Sequence, residues 1–180
     1  MLNLEEHKLT STLIYDGKVI HLFRDQIALP NGNIATREVI RHQGAVAIVP
    51  LTDKNEVVMV RQFRYPFSRV MLEIPAGKLD SGESPDDCAA RELFEETGAS
   101  ADTMTYLGVF CPTVAYSDEV IHLYLAKCLT FGEMHTDEDE FLNVERIPLQ
   151  VLVDQIMSGT IEDGKTQAAI LKTWFLLQQA

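Results

Sequence analysis

Ser84-Pro85-Asp86-Asp87-Cys88-Ala89-Ala90-Arg91-Glu92-Leu93-Phe94-Glu95-Glu96-Thr97-Gly98 is the stretch on which the reading of this 180-residue chain turns. Ser84 is a capping residue, Pro85 suits the first helical turn, and Asp87 sits at the third helical position as a capping-box-like partner. Asp86 and Asp87 also suit the positive end of the helix dipole, and Gly98 supplies a C-terminal stop. The spacing predicts a helix over 85–97. At about 100° per residue, Glu92, Glu95 and Glu96 share one face, while Ala89 and Leu93 lie on an adjacent apolar face that can dock on a sheet. Like charges on one face destabilise a helix unless something positive neutralises them. Arg91 reaches Glu95 at i, i+4, which leaves Glu92 and Glu96 paired and uncompensated. Carboxylates with only oxygen donors nearby match hard cations such as Mg²⁺ or Mn²⁺. A solvated acidic helix face is the competing reading.

Outward from this helix the chain alternates strand and turn signals. Before it, Val19 to Leu29 is rich in strand formers, Pro30-Asn31-Gly32-Asn33 is a turn, and Ile34 to Ile40 returns as a second strand, which reads as an antiparallel hairpin. Ala45 to Leu51, Val57 to Tyr65 and Met71 to Ile74 read as further strands, the last ending at Pro75-Ala76-Gly77. After it come strands at Tyr106 to Phe110, Val120 to Ala126 and Phe141 to Ile147, then helices at Leu149 to Met157 and Thr166 to Gln179. The expected fold class is mixed α/β, with its only subdivision near His42–Gly44.

Composition bounds the function. Lys and Arg total 15 against 27 Asp and Glu, a net charge of −12, which argues against nucleic acid or a membrane surface as partner. A phosphate substrate stays open if divalent cations lie between it and the acidic residues. Three cysteines without a C-x-x-C pair imply neither a disulfide frame nor a zinc site. No apolar run approaches a membrane span, and Met1 leads directly into Leu2-Asn3-Leu4-Glu5-Glu6; the expected location is the cytoplasm. The five histidines lack metal-ligand spacing, and Tyr65 and Trp174 are expected to be packing residues.

Gly77, five residues, Glu83, seven residues, then Arg91-Glu92-Leu93-Phe94-Glu95-Glu96-Thr97-Gly98-Ala99 resembles the Nudix box, with every fixed position matched and only the last apolar slot, Ala99, small. Arg61-Gln62-Phe63-Arg64-Tyr65-Pro66, Glu73-Ile74-Pro75-Ala76-Gly77, Ser117-Asp118-Glu119, the acidic 137–141 stretch and Ile161-Glu162-Asp163-Gly164-Lys165-Thr166 are similar to the ADP-ribose and nucleotide-sugar pyrophosphatases of that family. The resemblance implies an α/β/α Nudix sandwich over residues 43–180, preceded by a hairpin unit at 1–42 that builds a homodimer whose active sites draw on both subunits. It also implies metal-dependent hydrolysis of a nucleoside diphosphate sugar, with Mg²⁺ or Mn²⁺ as cofactor.

Carried onto these positions, the resemblance makes Glu92, Glu96 and the backbone carbonyl of Ala76 the metal ligands. Glu95 becomes a water-mediated ligand or a partner of Arg91, and Glu83 closes the loop back on the helix. The general base falls on the 137–140 stretch, with Glu138 ahead of Glu140. Arg64 is the candidate phosphate clamp, since Arg offers bidentate donors, and Arg37, Glu73 and Glu119 are candidates for the ribose or phosphates; structural ion pairs are the competing reading for each. Gly77 and Gly82 flank the loop, either as close-approach positions or as ordinary turn glycines. The ADP-ribose enzymes usually carry a proline fifteen residues after the box, where this chain has Val114, with Pro112 two residues earlier. That departure keeps other sugar nucleotides, GDP-mannose or ADP-glucose, open as substrates. The reading of another class is a non-catalytic nucleotide-sugar sensor, whose usual sign is a damaged box; this one is intact.

Overall fold

The computed structural model describes residues 2–134 and 141–179, and divides the chain into two compact units. One comprises Met1–Gln43 with Cys111–Val120; the other comprises Gly44–Phe110 and Ile121–Ala180.

The first unit is a three-stranded antiparallel sheet in the order β1 (His7–Asp16), β2 (His21–Ala28), β3 (Ile34–Arg41). The hairpin expected from the sequence is β2–β3; β1 is an addition. Every residue of β1 is exposed, so burial imposes no alternation that a sequence pattern could reveal. The 111–120 segment joins this unit through a parallel bridge between Ile40 and Ser117. The Ile40 N–H donates to the Tyr116 carbonyl at 2.7 Å, and Arg41 pairs with Asp118 at 2.9 Å.

The second unit is built on a mixed four-stranded sheet, β7–β4–β9–β8, formed by β7 (Ala76–Lys78), β4 (Ala45–Pro50), β9 (Ile121–Phe131) and β8 (Ala99–Phe110). β4 and β9 run parallel and the outer pairs antiparallel. All six residues of β4 are buried, as expected for a central strand covered on both faces. Its side chains alternate between two cores. Val46 and Ile48 join Cys88, Ala89 and Leu93 of helix α1 (Pro85–Thr97). Ala47 and Val49 join Leu152 and Ile156 of α2 (Leu149–Met157) and Ala169 and Ile170 of α3 (Gly164–Gln178). The layering is therefore α/β/α, and burying Leu93 alone is worth about 2 kcal/mol. A second sheet, β10–β5–β6, is antiparallel throughout and comprises β10 (Leu142–Pro148), β5 (Glu56–Arg64) and β6 (Arg69–Glu73).

Helix α1 and its caps follow the expectation. The Ser84 hydroxyl accepts the Asp87 N–H at 3.2 Å, and Gly98, at φ 66°, donates its N–H to the Phe94 carbonyl at 2.8 Å. β7 does not follow it, since 75–77 read as a strand end. Three residues carry no periodicity of their own, and the strand exists through pairing of Ala76 with Ala47 and Gly77 with Val46. β8 and β9 are each longer than the sequence indicated. Tyr65 is exposed in a 3₁₀ turn and is not a packing residue, whereas Trp174 packs against the α3-side core. All three cysteines are free. Among the described residues no helix is long and apolar enough to cross a membrane.

Candidate active site

The candidate site lies where α1 meets β7. Docking of Ala89 and Leu93 on the sheet turns the other flank of α1 towards the strand that precedes it in sequence. Glu96, only 2% exposed, accepts the Ala76 N–H through Oε2 at 3.1 Å. Glu92, 9% exposed, lies against Gly77 so closely that a Cβ there would fall 1.9 Å from its carboxyl carbon. Gly77 is thus a close-approach glycine. Gly82, at φ +83° with nothing within 4 Å of an added Cβ, is a turn glycine.

Arg91 does more than the i, i+4 reading expected. Its guanidinium bonds Glu95 at 2.9 Å and Glu92 at 2.8 Å, and grips both oxygens of Glu83 at 2.9 Å; it also donates to the Lys78 carbonyl at 3.2 Å. Glu92 is therefore not left uncompensated, contrary to expectation. Helical spacing hides this contact, because neighbouring residues do not share a face but a long Arg side chain can wrap to reach one. Glu83 also accepts the Asp80 N–H at 2.9 Å, closing the loop on the helix. The Arg91 hydrogen bonds first, then that backbone N–H, hold the Glu83 carboxyl down at about 2. The same pairing raises Arg91 above its ordinary value.

Among the described residues no three His, Cys, Asp or Glu side chains form a ready-made metal cage. The donors present still suit a hard cation. Mg²⁺ commonly takes one or two carboxylates and fills its other positions with water and substrate phosphate. Two nearly buried carboxylates converging on one backbone segment meet that need, and one guanidinium shared among several carboxylates leaves the locality negative.

Arg64 and Glu73 lie in the same unit, at the ends of β5 and β6. They form a bidentate pair with both bonds at 2.7 Å, and the Lys165 ammonium also donates to Glu73. Burial of Glu73 would raise its carboxyl, but Arg64 and then Lys165 outweigh it and hold the group at about 2. An open cleft of about 270 Å³ runs beside Arg64, Phe67, Glu73 and Lys165. A larger groove, about 600 Å³ between β8 and α3, is bordered by none of the predicted site residues.

The Glu73 value, below its ordinary 4.5, has a consequence for stability. A carboxylate depressed in the folded state stabilises it fully above the unfolded value, and that contribution drains as pH falls towards the folded value. Thermal melts should show wild type exceeding Glu73→Gln by a constant margin near neutral pH, narrowing between about pH 4.5 and 2. A margin independent of pH would contradict the pairing.

Arg37 and Glu119 lie in the first unit. Arg37 pairs with Glu6, and the Glu119 N–H donates to the Ser117 hydroxyl at 3.2 Å. Glu138 and Glu140 lie outside the described residues. Sequence alone assigns no role to the 161–166 stretch. The structure brings Asp163, Lys165 and Thr166 of that stretch to the Glu73–Ile74 end of β6. Their separation of 92 positions left no local signal.

Comparison with known proteins fits this geometry. The NUDIX domain matches residues 41–170, and the nucleoside diphosphate sugar hydrolase N-terminal domain matches residues 6–40. An ADP-ribose pyrophosphatase of Bacillus subtilis is 41% identical over 172 residues, covering 94% of this chain and 93% of that protein. A methanol dehydrogenase activator of Bacillus methanolicus is also 41% identical, over 98% of this chain and 95% of that protein. A GDP-mannose pyrophosphatase of Yersinia enterocolitica is 32% identical over 72% of this chain and 73% of that protein. The crystal structure of an ADP compounds hydrolase superposes with a TM-score of 0.88 at 23% identity, covering 98% of this chain and 97% of that one, a likeness of fold. With the domain spanning most of the chain and relatives this similar along nearly its full length, the chain belongs to the Nudix hydrolase family.

Proposed function

We propose that this chain hydrolyses the pyrophosphate bond of ADP-ribose or a related nucleoside diphosphate sugar, releasing a nucleoside monophosphate and a sugar phosphate. The observation that carries the reading is the pair of nearly buried carboxylates, Glu92 and Glu96, turned towards Ala76 and Gly77. Arg91 offsets only part of the charge of Glu83, Glu92 and Glu95, and a divalent cation beside Glu92 and Glu96 would offset more of it. Glu92, Glu96 and the Ala76 carbonyl would hold Mg²⁺ or Mn²⁺, which when bound polarises phosphoryl oxygens and acidifies a coordinated water. Arg91 orients Glu92 and Glu95 by hydrogen bonds, and Glu83 anchors Arg91 in turn. Arg64, oriented by its bidentate pair with Glu73, serves as a phosphate clamp; Glu73, Arg37 and Glu119 contribute contacts to ribose or phosphate. Glu138, or else Glu140, takes the proton of the attacking water. Val114 in place of the usual proline favours GDP-mannose or ADP-glucose as a second substrate reading.

The same reading makes the N-terminal unit a homodimer interface, supported by Leu9, Leu13, Tyr15 and Ile34 lying exposed on its sheet. It places the enzyme in the cytoplasm, where its three free cysteines stay reduced. The test is a panel of nucleotide sugars assayed by phosphatase-coupled release, on protein whose solution mass is measured. We expect Mg²⁺- or Mn²⁺-dependent turnover of at least one ADP- or GDP-sugar by a species near twice 20.2 kDa. Turnover that survives exhaustive chelation would overturn the metal assignment, and a monomer would overturn the interface.

A further inference from the structure

The backbone that meets Glu92 and Glu96 is held in place from outside the Nudix motif. β6 ends at Glu73 and β7 begins at Ala76, so a very short connection delivers Ala76 and Gly77 to the carboxylates. The Glu73 carboxylate is bound by Arg64 and Lys165. The Ile74 N–H donates to the Thr166 hydroxyl at 3.0 Å. The Pro75 carbonyl accepts the Ile48 N–H at 2.9 Å, and the Ala76 N–H goes to Glu96.

Lys165 and Thr166, which supply two of those links, belong to the first turn of α3. Thr166 is fully buried, and its hydroxyl accepts from the β6–β7 connection. Asp163 ties the turn together, accepting the Thr166 N–H at 2.9 Å as the helix cap and pairing with Lys165 at 3.1 Å. Little slack separates this clamp from the site. Pro75 fixes its own φ and restricts Ile74 to extended conformations, so a displacement at Ile74 passes to Ala76 rather than being absorbed between them.

We propose that Thr166 and Lys165 are positioning residues of the hydrolytic site, holding Ile74 and Glu73 so that Ala76 and Gly77 meet Glu96 and Glu92 in register. The proposal rests on the reading above that Ala76, Glu92 and Glu96 hold the cation.

The test compares Thr166→Val, which keeps the shape and removes the acceptor, with Thr166→Ser, which keeps the acceptor. Mn²⁺ binding by electron paramagnetic resonance and hydrogen exchange of the Ile74 and Ala76 amides are read on the full chain. In Thr166→Val the Mn²⁺ dissociation constant is expected to rise about 10- to 100-fold, as for residues that orient metal ligands, and exchange at Ala76 to accelerate. Thr166→Ser should restore both. Wild-type Mn²⁺ affinity and unchanged Ala76 exchange in Thr166→Val would overturn the proposal, whatever happens to its melting temperature. Lys165→Met carries the same readouts if Thr166→Val does not fold. A wild type that binds no Mn²⁺ would instead overturn the metal reading. The exchange arm then decides the clamp alone, with faster Ala76 exchange supporting it and unchanged exchange overturning it.

Discussion

Glu96→Gln is expected to lower turnover by about a thousandfold while leaving the protein folded. The size follows from what the charge does. A cation held at the reacting phosphoryl group contributes several kcal/mol of transition-state stabilisation, and about 4 kcal/mol corresponds to roughly three decades in rate. The intact fold follows from what the substitution keeps. The glutamine side-chain oxygen can still accept the Ala76 N–H that Glu96 Oε2 accepts at 3.1 Å, so that backbone donor keeps its acceptor and the volume is nearly unchanged. Glu96→Ala would lose charge, acceptor and packing together, so its result could not separate chemistry from stability. The measurement is kcat at saturating metal and substrate beside a thermal melt. Near wild-type kcat in Glu96→Gln would remove this residue from the metal site.

The same helix shows why some of this protein could be read from its sequence and some could not. α1 is specified locally: Ser84, Pro85 and Gly98 act on residues within one turn of themselves, and the 85–97 bounds follow. The acidic face is also local, since Glu92 and Glu96 are set by helical spacing. What those carboxylates meet is not local. β7 exists only through β4, and the Glu73–Lys165 and Ile74–Thr166 contacts join residues 92 positions apart. A single sequence carries no trace of such pairings until the sheet has placed them. β1 failed to announce itself for a different reason, as a fully exposed strand has no buried face to pattern. Arg91 falls between these cases: its carboxylate partners all lie within eight positions, but a flexible side chain that serves three of them breaks the rule of shared faces.

Gly77→Ala is expected to abolish most activity at almost no cost in stability, a combination that few glycine substitutions give. Gly77 is not among the glycines with positive φ, so alanine can adopt its backbone conformation without strain. The three atoms nearest an added methyl all belong to the Glu92 carboxyl group, its carbon and one oxygen at 1.9 Å and the other oxygen at 2.3 Å. That group is the far end of a flexible side chain and can swing away cheaply, but doing so takes it off the backbone segment that the site needs. The activity loss should therefore match that of Glu92→Ala, and the double variant should be little worse than either, because both changes remove one interaction. Gly82→Ala is the control. With nothing within 4 Å but φ at +83°, it should lose about 1–2 kcal/mol of stability to backbone strain and keep its kcat. Full additivity of Gly77→Ala with Glu92→Ala, or a Gly77→Ala enzyme of normal kcat, would show that the Glu92 carboxylate does not act from its place against Gly77.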